Sequence, residues 1–234
     1  MIDNLPKPSP SAFFSQKMAT SYDEKNRRLS EISDNMHFLV RLILLDLSSE
    51  ARILCVGVGT GAEILSLAKI YPDWTFVGVD PSVEMLGVCR DSLAHAGFLD
   101  RCDLIHGYVE QAPTGPQFDA VLSILVAHFI GREDRLDFYR NIHDRLKLGG
   151  SFVSTEICYD LDAAEFPAIL KNWESVQALM GATPESLQAL PDTLRDMLCV
   201  LSPTETEEML RKTGFELPIQ FFQAFLLHGW YAKK

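Results

Sequence analysis

No two cysteines in this sequence stand at C-x-x-C spacing, and no apolar run is long enough to cross a bilayer. Cys55, Cys89, Cys102, Cys158 and Cys199 are scattered and odd in number, so they read as free thiols in a reducing cytoplasm and give no metal set. The longest apolar stretches, 37–47 and 221–231, fall well short of a spanning helix, and no secretory leader is read at the start. Positive charge is scarce as well. Lys and Arg number 21 against 32 Asp and Glu, a net charge of −11, which repels nucleic acid and argues against it as a partner. What is present is an ordinary globular balance, with 47% hydrophobic and 23% charged residues over 234 positions. That suffices for one well-buried α/β domain with a small accessory element.

The chain is organised around RILCVGVGTGAEILSLA, from Arg52 to Ala68. Residues 53–56 form a short apolar run suited to a buried strand; Gly57, Gly59 and Gly61 follow, and 63–71 carries apolar residues at helical spacing. A strand, a glycine turn and a helix hold nucleotide-like ligands in open α/β folds, because glycine lets the backbone approach the ligand closely. The pattern then repeats. Residues 74–80 read as a second strand ending in Asp80, about twenty residues past the turn, where a carboxylate meets a ribose diol. Asp80 has a second reading as the N-cap of a helix over 83–96, which Gly97 closes.

Strands are expected over 103–107, 118–126 and 151–157, with the second of these central because it is the most apolar. A helix over 132–148 should stop at Gly149-Gly150. Upstream, 1–10 reads as a loose proline-rich arm and 11–36 as a cap helix, with Phe13, Phe14 and Met18 packing and Tyr22 reaching toward the ligand mouth. An apolar helix over 38–47 should then pack on the sheet. Two helices, 163–180 and 184–200, exceed what the fold needs. They read either as a substrate lid over 158–201 or as the contact of a homodimer. Ser202-Pro203-Thr204 caps a helix through Arg211, and two strands close the chain around a link at 221–223.

CVGVGTGAE, VGVDPSVEML, HGYVEQAP, FDAVLS, RLKLGGSFV and the final strand pair, taken in order, resemble the class I S-adenosylmethionine-dependent methyltransferases. The resemblance implies a Rossmann-like α/β fold over 1–234: a seven-stranded mixed sheet, its last strand inserted antiparallel, with helices on both faces. It implies S-adenosylmethionine as cofactor, with Gly57, Val58, Gly59, Thr60 and Gly61 under the methionine part. Asp80 and Pro81 would lie at the ribose, and Met85, Tyr108 and Val109 against the adenine. Cys55 stands where the family carries an acid, and Glu63 is the nearest substitute. Within the superfamily the chain is most similar to the carboxy-S-adenosylmethionine synthase group of tRNA wobble-uridine modification. An arginine of that group falls near Pro191 here, not on Arg195, and an asparagine falls near Ile124.

The activity expected is methyl transfer to a small, partly apolar molecule. Carboxy-S-adenosylmethionine synthesis and cofactor binding without catalysis are the alternatives, and a nicotinamide dehydrogenase is a remoter rival. In-line displacement at a sulfonium methyl asks mainly for alignment, so a general base is optional. The candidates are Tyr22, His128 and Glu156, although His128 in LVAHFI reads more readily as a packing histidine.

Overall fold

The computed structural model describes residues 27–234, so the expectations for the arm, Phe13, Phe14, Met18 and Tyr22 lie outside the described residues. The elements run α1 (Ser30–Ile43), β1 (Arg52–Val56), α2 (Ala62–Ala68), β2 (Thr75–Asp80), α3 (Val83–Ala96), β3 (Cys102–His106) and β4 (Phe118–Ile124). There follow α4 (Arg132–Arg145), β5 (Leu146–Ile157), α5 (Phe166–Leu179), α6 (Pro184–Gln188), α7 (Pro203–Lys212), β6 (Glu216–Ala224) and β7 (Leu227–Lys233).

The seven strands form one sheet in the order β3-β2-β1-β4-β5-β7-β6. β1 to β5 are parallel, and β7 runs antiparallel to both of its neighbours. Strand β1 explains why both faces are covered. Its Ile53 and Cys55 join one apolar cluster with residues of α1, α2 and α3, while Leu54 and Val56 join a second with residues of α4 and α7. A parallel strand buried on both sides must be apolar throughout. β4, buried at every position but Asp119, takes the middle place of the seven. After β3 the chain returns to set β4 beside β1, and this reversal opens a crevice at the carboxyl ends of both strands.

Several boundaries depart from the sequence reading, each for a local reason. Helix α1 buries Met36 and Val40, with Leu44 just beyond its end, while Phe38, Leu42 and Leu45 face outward. Two residues along an α-helix turn about 200°, so one apolar row faces the core and the other cannot. Helix α4 stops at Arg145, because Leu146 already pairs with Phe118; a bulge through Gly149 (φ 75°) precedes the next pair, Ala120 with Ser151.

In the segment 158–201, Pro191 interrupts the second helix, which continues only as a short turn (Leu190–Asp192) and a π-helical turn (Thr193–Met197). Its Phe166, Trp173, Leu190 and Leu194 join the first apolar cluster. Phe221, Phe222 and Gln223 are not a link but part of β6; the chain turns at Phe225-Leu226, with Phe225 at φ 55°. Edge strand β6 is irregular, with Leu217 at φ 43°, Pro218 beside it and two breaks in its register with β7.

Candidate active site

The carboxyl ends of β1, β2 and β4 open into a cavity of about 610 Å³, an ordinary size for a small-molecule site. The glycine turn forms its floor. Gly57, Gly59 and Gly61 have φ of 67°, 53° and 87°, a region in which side chains are strained. Gly57 and Val58 donate their N–H groups to the Val79 carbonyl at 2.8 and 3.0 Å, tying the turn to β2.

Asp80 is built into the same turn. Its Oδ2 accepts from the Gly59 N–H at 2.9 Å and its Oδ1 from the Ser82 N–H at 2.8 Å. The N-cap of α3 is therefore Ser82, whose hydroxyl accepts from the Met85 N–H at 3.2 Å, and not Asp80. Burial raises the Asp80 pKa, opposed by the Ser82 and Gly59 N–H groups and by His106. Each carboxylate oxygen retains a further lone pair, so the group can hold two donors side by side.

Gly57, Gly59, Asp80, Pro81, Met85, Tyr108 and Val109 all line this cavity. Val58 and Thr60 are buried within the turn, and Gly61 closes it from behind, where a Cβ would lie 2.7 Å from Cys89 Sγ. His128 and Glu156 do not line the cavity. His128 is buried, its Nδ1 accepts from the Ile157 N–H at 3.2 Å, and burial with Arg135 pushes its pKa down to about 3. Glu156 is fully enclosed, accepting from Arg135 Nη1 at 2.7 Å and from the Tyr139 hydroxyl at 3.1 Å. Both stand near the carboxyl edge, as the sequence indicated, but their polar atoms are taken up by packing. Tyr22 lies outside the described residues.

The far wall was missed. It comes from Leu125, Val126, Phe129 and Ile130 and from Asp134, Asp137, Phe138 and Asn141 of α4. The α4 residues fall at i, i+3, i+4 and i+7, one helical stripe whose polar majority reads from sequence as a solvent face. Leu125 has φ 59° and donates its N–H to the Thr155 carbonyl at 2.7 Å, a strained residue on the cavity wall. Among the described residues, no group of three His, Cys, Asp or Glu side chains could share a metal ion, and no helix is long and apolar enough to cross a membrane.

Residues 53–150 match the family described as methyltransferase domain, the span that contains the glycine turn, Asp80 and β4. That span is a methyltransferase domain, and its glycine turn and strand-end acid are of the S-adenosylmethionine-dependent kind. It is similar to the carboxy-S-adenosyl-L-methionine synthase of Methylococcus capsulatus, 26% identical over 224 residues, covering 94% of this chain and 93% of that one. Its fold is similar to an O-methyltransferase family protein from Burkholderia thailandensis, with 12% identity and a TM-score of 0.69 over 98% of this chain and 64% of that one. PigF, solved with SAH, gives 21% identity and a TM-score of 0.65 over 94% of this chain. The chain spans 60% of that PigF chain. The protein is an enzyme, with S-adenosylmethionine as cofactor.

Gly57→Ala tests the turn directly. The new methyl group would overlap the Val126 side chain at a left-handed backbone position. Urea unfolding is expected to show a loss of about 1–3 kcal/mol; an unchanged midpoint would mean that the turn tolerates a side chain.

Proposed function

We propose that the enzyme transfers the S-adenosylmethionine methyl group to a small, partly apolar acceptor, in the cytoplasm. The cofactor supplies a methyl already activated by a sulfonium centre. Gly57 and Gly59 would underlie its amino-acid part, and Asp80 would hold the ribose hydroxyls. Pro81, Met85, Tyr108 and Val109 would enclose the base. The acceptor space is walled by Leu125, Val126, Phe129 and Ile130, which exclude water and set the approach. Alignment of this kind is worth up to roughly 7–11 kcal/mol in favourable cases, so the reading needs no buried base.

One observation carries the choice of reaction. Asp80, Glu110, Asp134 and Asp137 line the cavity, and among the described residues no Lys, Arg or His does. Such a lining suits a cationic sulfonium and a neutral or basic acceptor. It is a poor host for the additional carboxylate of a carboxylated cofactor. Arg195 lies outside the cavity, engaged by Asp162 at 3.1 Å and by the Leu161 carbonyl at 2.6 Å.

The second reading, carboxy-S-adenosylmethionine synthesis, is favoured by the likeness to the Methylococcus enzyme along nearly the full chain. Incubation with S-adenosylmethionine and either prephenate or a pooled metabolite extract separates the readings by product mass. A methylated metabolite and no carboxymethylated cofactor is the expected result. Carboxymethylated cofactor would reverse the order of the two readings, and binding without turnover would leave a cofactor-binding module.

A further inference from the structure

Helices α1 and α2 pack side by side on one face of the sheet, where Met36 and Val40 of the first share an apolar cluster with Ile64 and Leu67 of the second. An acid is enclosed in their seam. Glu63, the second residue of α2, lines a narrow cleft with His37, Val40, Ser66 and Leu67, apart from the large cavity. Among the described residues its Oε2 is buried with no hydrogen-bond partner.

Nothing around the seam neutralises a charge on that carboxyl. The titratable groups facing it are Cys55 from β1, Asp80 from β2, Cys89 from α3 and His37 from α1. Burial keeps both thiols protonated, Cys55 well above the usual thiol range and Cys89 at about 12. Asp80 is itself an acid. Burial also lowers the His37 pKa, with Asp34 opposing and Arg41 adding, so His37 is neutral by the time Glu63 ionises. For Glu63, burial pushes the pKa up to about 7, against a hydrogen bond from its own backbone N–H and with Asp80 adding. An apolar seam holds an uncharged carboxyl far more readily than a carboxylate.

We propose that the α1–α2 seam is a pH-sensitive latch, which holds while the enclosed Glu63 carboxyl is protonated and loosens when it ionises and draws water into the cleft. In an opened seam Glu63 ionises in the usual carboxylate range, whereas in the closed seam it does so only at about pH 7. Opening therefore becomes easier as pH rises between those two values, by up to about tenfold per pH unit, and levels off above the second. His37 pulls the other way. Closure disfavours its protonation, so it loosens the seam as pH falls. Glu63 sets the net slope because its charge is enclosed without a partner, while His37 is only half-buried.

Hydrogen exchange of the whole ligand-free chain tests this, read by mass spectrometry on peptides from α1 and corrected for the intrinsic pH dependence of exchange. From about pH 5 to about pH 7, wild-type α1 is expected to lose protection by roughly 10- to 100-fold. Helix α4, on the opposite face of the sheet, should keep its own. In Glu63→Gln the loss should vanish or reverse, leaving the weaker His37 slope, and in His37→Gln it should steepen. Protection of wild-type α1 that is indifferent to pH, or that falls equally in α1 and α4, overturns the proposal. So does a wild-type slope retained in Glu63→Gln, or one abolished in His37→Gln.

Discussion

Arg135→Met is expected to cost the folded state about 3–5 kcal/mol, the usual penalty for stranding one member of a buried ion pair. Arg135 and Glu156 are both fully enclosed, 2.7 Å apart. The same guanidinium donates to the Ile130 carbonyl at 3.1 Å and the Cys199 carbonyl at 2.9 Å. Burial opposes its charge, but Glu156 and Tyr139 outweigh that and push its pKa up. Removing it leaves the Glu156 carboxylate in an apolar cluster with the Tyr139 hydroxyl as its remaining side-chain donor. The double variant Arg135→Met/Glu156→Leu should recover most of the loss, since it removes both charges. Urea unfolding of the three proteins decides the matter, and a single variant within 1 kcal/mol of wild type would show that the pair contributes little. The network also ties α4, and with it the cavity wall, to β5 and to the segment before α7.

Asp80→Asn is expected to lower affinity for S-adenosylhomocysteine by about 100-fold, two charge-assisted hydrogen bonds at the low end of their range. Asparagine keeps one acceptor oxygen and turns an NH2 group toward either the Gly59 or the Ser82 N–H, where two donors would face each other. The turn should therefore loosen as well as lose its charge, and the melting temperature should fall. In the wild type the affinity should decline as the solution is acidified through the Asp80 pKa, which burial has raised. Calorimetry that finds the variant within threefold of wild type would remove Asp80 from the site.

Much of the site was legible because its residues are consecutive. The turn from Gly57 to Gly61 and the acid at the end of β2 rest on local chemistry, as does the Ser202 cap that opens α7. Glu156 and His128 show where that legibility ends. Each lies near a strand's carboxyl end, yet the partner that claims Glu156 is 21 residues back on a helix, and nothing in the sequence ties the two together. The α4 wall is hidden for a related reason. Asp134, Asp137 and Asn141 read as a solvent-facing stripe until the fold places β2 and the 107–110 turn opposite them. The β6–β7 turn escaped notice because Phe225, not a glycine or asparagine, takes its left-handed position.

Strand β6 has a consequence for how molecules of this protein meet. An open sheet margin offers unpaired amides and carbonyls on which a further strand can grow, from another copy or from an extended peptide. Here Pro218 withholds one amide, Leu217 bends the backbone out of line, and the two register breaks interrupt the ladder. The sheet is thereby terminated at its β6 margin, where lateral strand addition from molecule to molecule finds no regular template.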